Sequence, residues 1–359
     1  MLSTLLTVLT LSAAACASVP AQPEASKPAE PQVYQPVAGA TVAGKFAYDR
    51  YVTTDGLGRR ITFYLSKAPE GGGGVEGADK QEKLPLVLCV QGSGSQSVFQ
   101  EVETPEGKRI GSGGPEAAGL SQVKGKVRVL VVEKPGVEFL VQPKRPGGAE
   151  EGTAEFRREH TLERWVEALN AAVKAAVTLP GIDASRVLAL GHSEGGQVVC
   201  HLAAANAAVT HVAAMAGGGP TQLFDLIELA RSGAMGPPQG TEEERVAWLV
   251  EQWKEVLKDS DADGKFFLGH PHRRWTSFLK SSPIEGILKS KARVFIAQGS
   301  KDTATLPAST DALYAELLAH GRDVTYERVE GGDHGFMTPG DKGEGWKVTH
   351  RKAVEWFLK

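Results

Sequence analysis

The chain predicts an α/β fold in which a mostly parallel sheet is covered by helices on both faces. Short, almost uninterrupted apolar runs, such as residues 84–90 and 127–132, read as strands buried on both sides. Segments of helical period alternate with them, the arrangement that builds parallel βαβ units. A length of 359 residues, 41% of them hydrophobic and 23% charged, suits one large globular domain. A formal charge of −3 excludes a bulk electrostatic pull toward nucleic acid, and no basic stripe is interleaved with aromatic residues.

Residues 1–17 stand apart. Leu2, Leu5, Leu6, Val8, Leu9 and Leu11 form an apolar run that closes on Ala13-Ala14-Ala15-Cys16-Ala17, the pattern of a signal peptide with a small-residue cleavage site. The run is too short for a membrane-spanning helix. It lacks the usual basic opening, because the first Lys or Arg is Lys27. Small residues ending in Cys16 are similar to a bacterial lipobox, although Ala13 stands where that motif usually has Leu. Two outcomes stay open: lipidation at Cys16 and anchoring as a periplasmic lipoprotein, or cleavage after Ala17 and release as a secreted protein. Residues 18–43, rich in Pro, Ala, Gln and Glu, read as a disordered linker to a domain over 44–359.

Within that domain, residues 44–65 suggest two strands joined by the turn Asp55-Gly56-Leu57-Gly58, followed by a Gly-rich loop at Gly71 to Gly74. The strand at 84–90 ends in Gln91-Gly92-Ser93-Gly94, and a long Gly-rich loop leads to the strand at 127–132. One helix is expected over 153–178, then a strand at 186–191, a helix from Glu194 and a strand at 211–216. Further on come a strand at 292–298, a helix at 309–320, a strand at 324–329 and a closing helix from about Trp346. Cys89 and Cys200 lie in apolar segments and suit buried free thiols, with a disulfide between them as the alternative. No Cys-x-x-Cys spacing offers a zinc site.

Residues 217–291 break the alternation, since a βα connection needs only 2–6 residues. Helical stretches at 223–231 and 242–257, with Trp248, Trp253, Phe266, Phe267 and Trp275, suggest a helical cap inserted over the sheet's carboxyl edge. Asp259-Ser-Asp261-Ala-Asp263-Gly264 matches the first half of a calcium loop, but His270 occupies the place of the closing Glu, so an acidic helix stop is preferred. Beyond it, His270, His272, Arg273 and Arg274 read as structural groups more than substrate contacts.

The chemistry lies in three short stretches. Gly191-His192-Ser193-Glu194-Gly195 fits Gly-x-Ser-x-Gly between a strand and a helix, where a strained turn tolerates no side chain two residues either side of the serine. Ser193 is therefore the expected nucleophile. A serine hydroxyl needs a base, and His334 in Gly331-Gly332-Asp333-His334-Gly335 follows the last strand. Asp302, just past a buried strand, is the acid expected to orient His334; Asp333 is too close in sequence to reach the ring and is read as a loop-shaping residue. The oxyanion hole is expected from the backbone N–H groups of Glu194 and Ser93, the alternative at Ser93 being a plain Gly-rich turn.

Together Gly191–Gly196, Gln298–Asp302 and Asp333–Phe336 resemble the α/β-hydrolase superfamily, in its prolyl-oligopeptidase-like and dienelactone-hydrolase-like branches. The resemblance covers roughly residues 45–359 and is weakest in the cap. It implies an eight-stranded, mostly parallel sheet and an acyl-enzyme mechanism without a cofactor or metal. Gln91 departs from it, since many relatives carry His before the oxyanion glycine. Too little chain precedes the domain for the propeller of prolyl oligopeptidases, which favours a small-molecule ester or thioester over a peptide. A small peptidase or amidase and a catalytically silent ligand-binding scaffold are the other readings.

Overall fold

Asp55 closes the first hairpin of the molecule. Its Oδ1 accepts from the N–H groups of Leu57 and Arg59, which joins Tyr48–Thr54 (β1) antiparallel to Arg60–Ser66 (β2). The computed structural model describes residues 48–67, 83–105, 107–118, 120, 123, 125–145 and 147–359. The leader with Cys16, the linker, and the loop at Gly71 to Gly74 lie outside the described residues.

The remaining strands of the sheet are Leu84–Val90 (β3), Arg128–Val132 (β6), Ile182–His192 (β7), His211–Met215 (β8), Arg293–Gly299 (β11) and Val324–Val329 (β12). They complete an eight-stranded sheet in the order β1-β2-β6-β3-β7-β8-β11-β12. β2 runs antiparallel to β6, and every pairing from β6 to β12 is parallel. Side chains alternate between two cores, as a period of two requires. Leu86, Leu88 and Val90 join one core with the helices Leu162–Ala176 (α2), Glu194–Ala205 (α3) and Pro307–Ala319 (α8). Val87 and Cys89 join the other, under the helix Glu344–Phe357 (α9). Burial on both faces explains why these strands show no polar alternation. Cys89 and Cys200 therefore sit in cores on opposite faces of the sheet, and both are free thiols.

Two expectations change. The single helix over 153–178 is two, Ala154–Glu159 (α1) and α2, because Thr161 leaves the helix and caps α2 by accepting from Arg164 N–H. The loop after β3 carries an antiparallel hairpin, Phe99–Thr104 (β4) with Gly107–Ser112 (β5), and a 3-10 turn at Gly114–Ala118. After Phe99 this hairpin is mostly exposed, so it lacks the apolar pattern by which strands are recognised.

Between β8 and β11 stand the helices Gln222–Arg231 (α4), Glu242–Lys258 (α5), His272–Phe278 (α6) and Pro283–Leu288 (α7), with a short ribbon of Phe266–Phe267 (β9) and His270–Pro271 (β10). Thr241 and Glu244 form a reciprocal capping box at the start of α5. Trp275, Leu226, Ala230, Leu249, Val256 and Leu279 make a separate small core, with Trp248, Trp253 and Phe267 packed on it. Four of the five aromatic residues noted in the cap, all but Phe266, serve that core. The acidic turn after α5 is used internally, with Asp259 paired to Lys265 and Asp261 to Arg273. Among the described residues no cluster of His, Cys, Asp or Glu is placed to hold a metal, and no helix is long and apolar enough to cross a membrane.

Candidate active site

Ser193 sits between β7 and α3 at φ 58° and ψ −125°, a conformation that L-residues adopt only under constraint. The constraint is steric. A Cβ on Gly191 would stand 2.1 Å from Gly195 O, and one on Gly195 would stand 2.3 Å from Val90 O. The turn is held by Ser193 N–H donating to Met215 O at 2.9 Å and by Gly196 N–H donating to Ser193 O at 2.8 Å. The strained turn thus rests on strand β8 and on the first turn of α3.

Asp302 lies just beyond β11 and is buried. Its Oδ1 accepts from Ala304 N–H at 2.8 Å and Thr305 N–H at 3.0 Å. Its Oδ2 accepts from Gln298 Nε2 at 2.9 Å and from His334 Nδ1 at 2.8 Å. Because a carboxylate only accepts, this places the His334 proton on Nδ1 and leaves Nε2 free to take another. His334 is partly exposed. Among the described residues Ser193 Oγ makes no hydrogen bond to it; such contacts are often loose before substrate binds. Asp333 turns away from the ring, accepting from Gly335 N–H at 2.8 Å and Met337 N–H at 2.9 Å within its own loop.

His192, beside Ser193, connects the two loops. Its Nε2 lies 2.7 Å from the His334 carbonyl oxygen, which fixes that nitrogen as the donor. Burial, reinforced by His334 and His350, holds its pKa well below the ordinary histidine value, so the ring is neutral. Trp346 packs edge-on against it at 4.7 Å.

The expected oxyanion donors flank Ser193. Glu194 N–H opens α3, and Gly92 leads into Ser93 with its would-be Cβ 3.3 Å from Ser193 Cβ. Neither Ser93 N–H nor Glu194 N–H has an acceptor among the described residues. Beneath them lies a buried ionic cluster that sequence patterning did not reveal. Lys134 Nζ donates to Glu194 Oε1 at 3.0 Å, and Arg274 NH2 donates to Glu194 Oε2 at 2.7 Å. His160 Nε2 stands 3.0 Å from Glu194 Oε1 but is not aligned for a hydrogen bond. Burial would raise the pKa of Glu194, yet Lys134, His160 and Arg274 outweigh it and hold the carboxyl well below its usual value. Arg274 comes from the cap, which therefore reaches the turn that carries Ser193.

A small polar cavity of about 30 Å³ opens beside Ser193, lined by Gln197, Gln222, Asp225 and Thr305 among others. Burial, partly offset by hydrogen bonds from Leu306 N–H and Ser309, pushes the Asp225 carboxyl up to about 6.

A family model described as the alpha/beta hydrolase family matches residues 114–342. Among solved structures, an acetyl xylan esterase from a Paenibacillus species aligns with a TM-score of 0.57 at 15% identity, over 92% of this chain and 89% of that one. Pyrococcus horikoshii acylaminoacyl peptidase aligns with a TM-score of 0.56 at 14% identity, over 87% of this chain and 41% of that one. At such identities the likeness is one of fold. Comparison with curated protein sequences found no match.

Proposed function

The chain belongs to the alpha/beta hydrolase family, and we propose that it is a serine hydrolase cleaving carboxylic esters or thioesters, with Ser193 as nucleophile, His334 as base and Asp302 as orienting acid. The observation that carries this reading is the Asp302–His334 hydrogen bond of 2.8 Å, which leaves His334 Nε2 as an acceptor in a loop docked against the residue beside Ser193. Ser193 Oγ adds to the acyl carbon while its proton passes to His334 Nε2, and the carbonyl electron pair moves onto oxygen. The N–H groups of Ser93 and Glu194 stabilise that oxygen. Collapse expels the alcohol or thiol, which takes the proton from His334. Water then repeats the sequence on the acyl-enzyme and releases the acid.

The polar lining beside Ser193, with Gln197, Gln222, Asp225 and Thr305, favours a polar or short acyl group over a long alkyl chain. The signal-peptide pattern read at residues 1–17 supports export of the protein from the cytoplasm. The test of the reaction is a fluorophosphonate probe with adduct mapping, run beside p-nitrophenyl esters of rising chain length and peptide p-nitroanilides. Labelling at Ser193, loss of labelling in Ser193→Ala and turnover of the short esters are expected. An adduct on another serine overturns the assignment, and turnover of the anilides alone makes the protein a peptidase.

A further inference from the structure

Lys134 is a fully buried ammonium with no place in the reaction above. It follows β6, two strands away from the nucleophile's strand in the sheet. Each of its three protons has one acceptor: Gly92 O at 2.7 Å, Gly94 O at 3.1 Å and Glu194 Oε1 at 3.0 Å. Two of these belong to the loop after β3, and the third belongs to the residue after Ser193.

The Gly92 carbonyl shares its peptide plane with Ser93 N–H. In a trans peptide the two point in opposite directions, so the oxygen held by Lys134 turns that N–H away from the ammonium. A charge on the carbonyl oxygen also draws electron density along the amide and makes its N–H a stronger donor. The loop needs such a hold, because Gly92 and Gly94 leave its backbone with many conformations and Gly94 sits at φ +103°.

We propose that Lys134 is a positioning residue for the oxyanion hole, fixing the Gly92–Ser93 peptide so that its N–H meets the developing oxyanion and tying it to Glu194, the other donor. The inference rests on the serine-hydrolase reading of Ser193. Through Lys134 both halves of the hole share one buried group, and Arg274 extends the connection to cap helix α6. Burial holds the pKa of Lys134 below its ordinary value, with Glu194 opposing that shift only in part.

The experiment compares Lys134→Met, which leaves Glu194 paired with Arg274, and the triple variant Lys134→Met/Glu194→Gln/Arg274→Met with the parent enzyme, the second removing all three buried charges in case the single change prevents folding. The readouts are kcat and KM on p-nitrophenyl acetate, and inhibition by trifluoroacetophenone, which adds reversibly to a serine hydroxyl and places an oxyanion in the hole. Leu317→Ala, in the core away from the site, is the destabilised control. We expect kcat to fall ~10- to 100-fold, less than the ~10²- to 10³-fold cost of deleting a donor, with a parallel loss of ketone affinity. KM should stay within about threefold, the pattern of an interaction made in the transition state. Folded variants that lose thermal stability like the control, yet keep parental kcat and ketone affinity, would overturn the proposal. If Ser193→Ala hydrolyses the ester as well as the parent does, the serine-hydrolase reading itself fails, a result distinct from any seen at Lys134.

Discussion

Replacing Asp302 with Asn keeps the side chain's size and exchanges one acceptor oxygen for a donor. The surroundings decide which oxygen goes. Oδ1 accepts two backbone N–H groups, from Ala304 and Thr305, and neither can turn away. Oδ2 faces Gln298 Nε2 and His334 Nδ1. Gln298 is pinned too, because its Nε2 also donates to Gly299 O and Thr305 O, and its Oε1 accepts from Thr310. The Asn oxygen therefore takes the Oδ1 place and its NH2 faces His334. The imidazole answers by moving its proton to Nε2, the nitrogen that accepts from Ser193 in the proposed reaction. Such a tautomer error costs roughly 10³- to 10⁴-fold in kcat, or about 4–5.5 kcal/mol of transition-state stabilisation. The assay is p-nitrophenyl acetate turnover at pH 7.5 by protein shown to be folded by its thermal transition, with KM followed separately. Asp333→Asn is the companion, since an Asn oxygen can keep the bonds from Gly335 and Met337; about threefold or less is expected. A folded Asp302→Asn enzyme within tenfold of the parent, or a larger loss at Asp333, would refute the assignment of the acid.

Three further outcomes follow from the same structure. Burial first, offset by hydrogen bonds, raises the folded pKa of Asp225 to about 6 and that of Glu133 to about 7. Unfolded carboxyls titrate near about 4, so the folded state binds more protons between these values and stability falls as pH rises through that window. Asp225→Asn should then add about 1–3 kcal/mol of stability at pH 7.5 relative to pH 4 in urea unfolding, and an equal change at both pH values would contradict this. Trp275→Ala should cost about 3–5 kcal/mol and depress all p-nitrophenyl esters alike, because the ring fills the cap's core; a changed chain-length preference would put it in the substrate's path. Cys16→Ser should move the protein expressed with its leader from the membrane to the soluble fraction, and unchanged membrane recovery would remove the lipobox reading.

What the sequence disclosed and what it hid have a common physical cause. Gly191 is demanded by the backbone of the turn and Gly195 by the end of the neighbouring strand at Val90 and Gln91, and because both bracket Ser193 at a fixed offset their spacing is legible. The central parallel strands β3 and β6 announced themselves because both of their faces are buried. Asp302 and His334 stood out because each follows a recognisable strand, and the fold brings them to 2.8 Å of each other. The β4–β5 hairpin was hidden because most of its side chains meet water, and the break at Thr161 because a capping threonine costs the apolar period nothing. Lys134, His160, Arg274 and Glu194 were hidden for a different reason. They come from four separate segments and meet only through the tertiary fold, while charged residues read singly suggest a solvated surface. Burying Lys134, Arg274 and Glu194 as ions carries a desolvation cost of several kcal/mol per ion, recovered only when the partners' geometry is good. Lys134 meets that condition with three protons and three acceptors. An arrangement so costly to misplace acts as a constraint on the loops it joins, and here those loops are the ones that would face the reacting carbonyl.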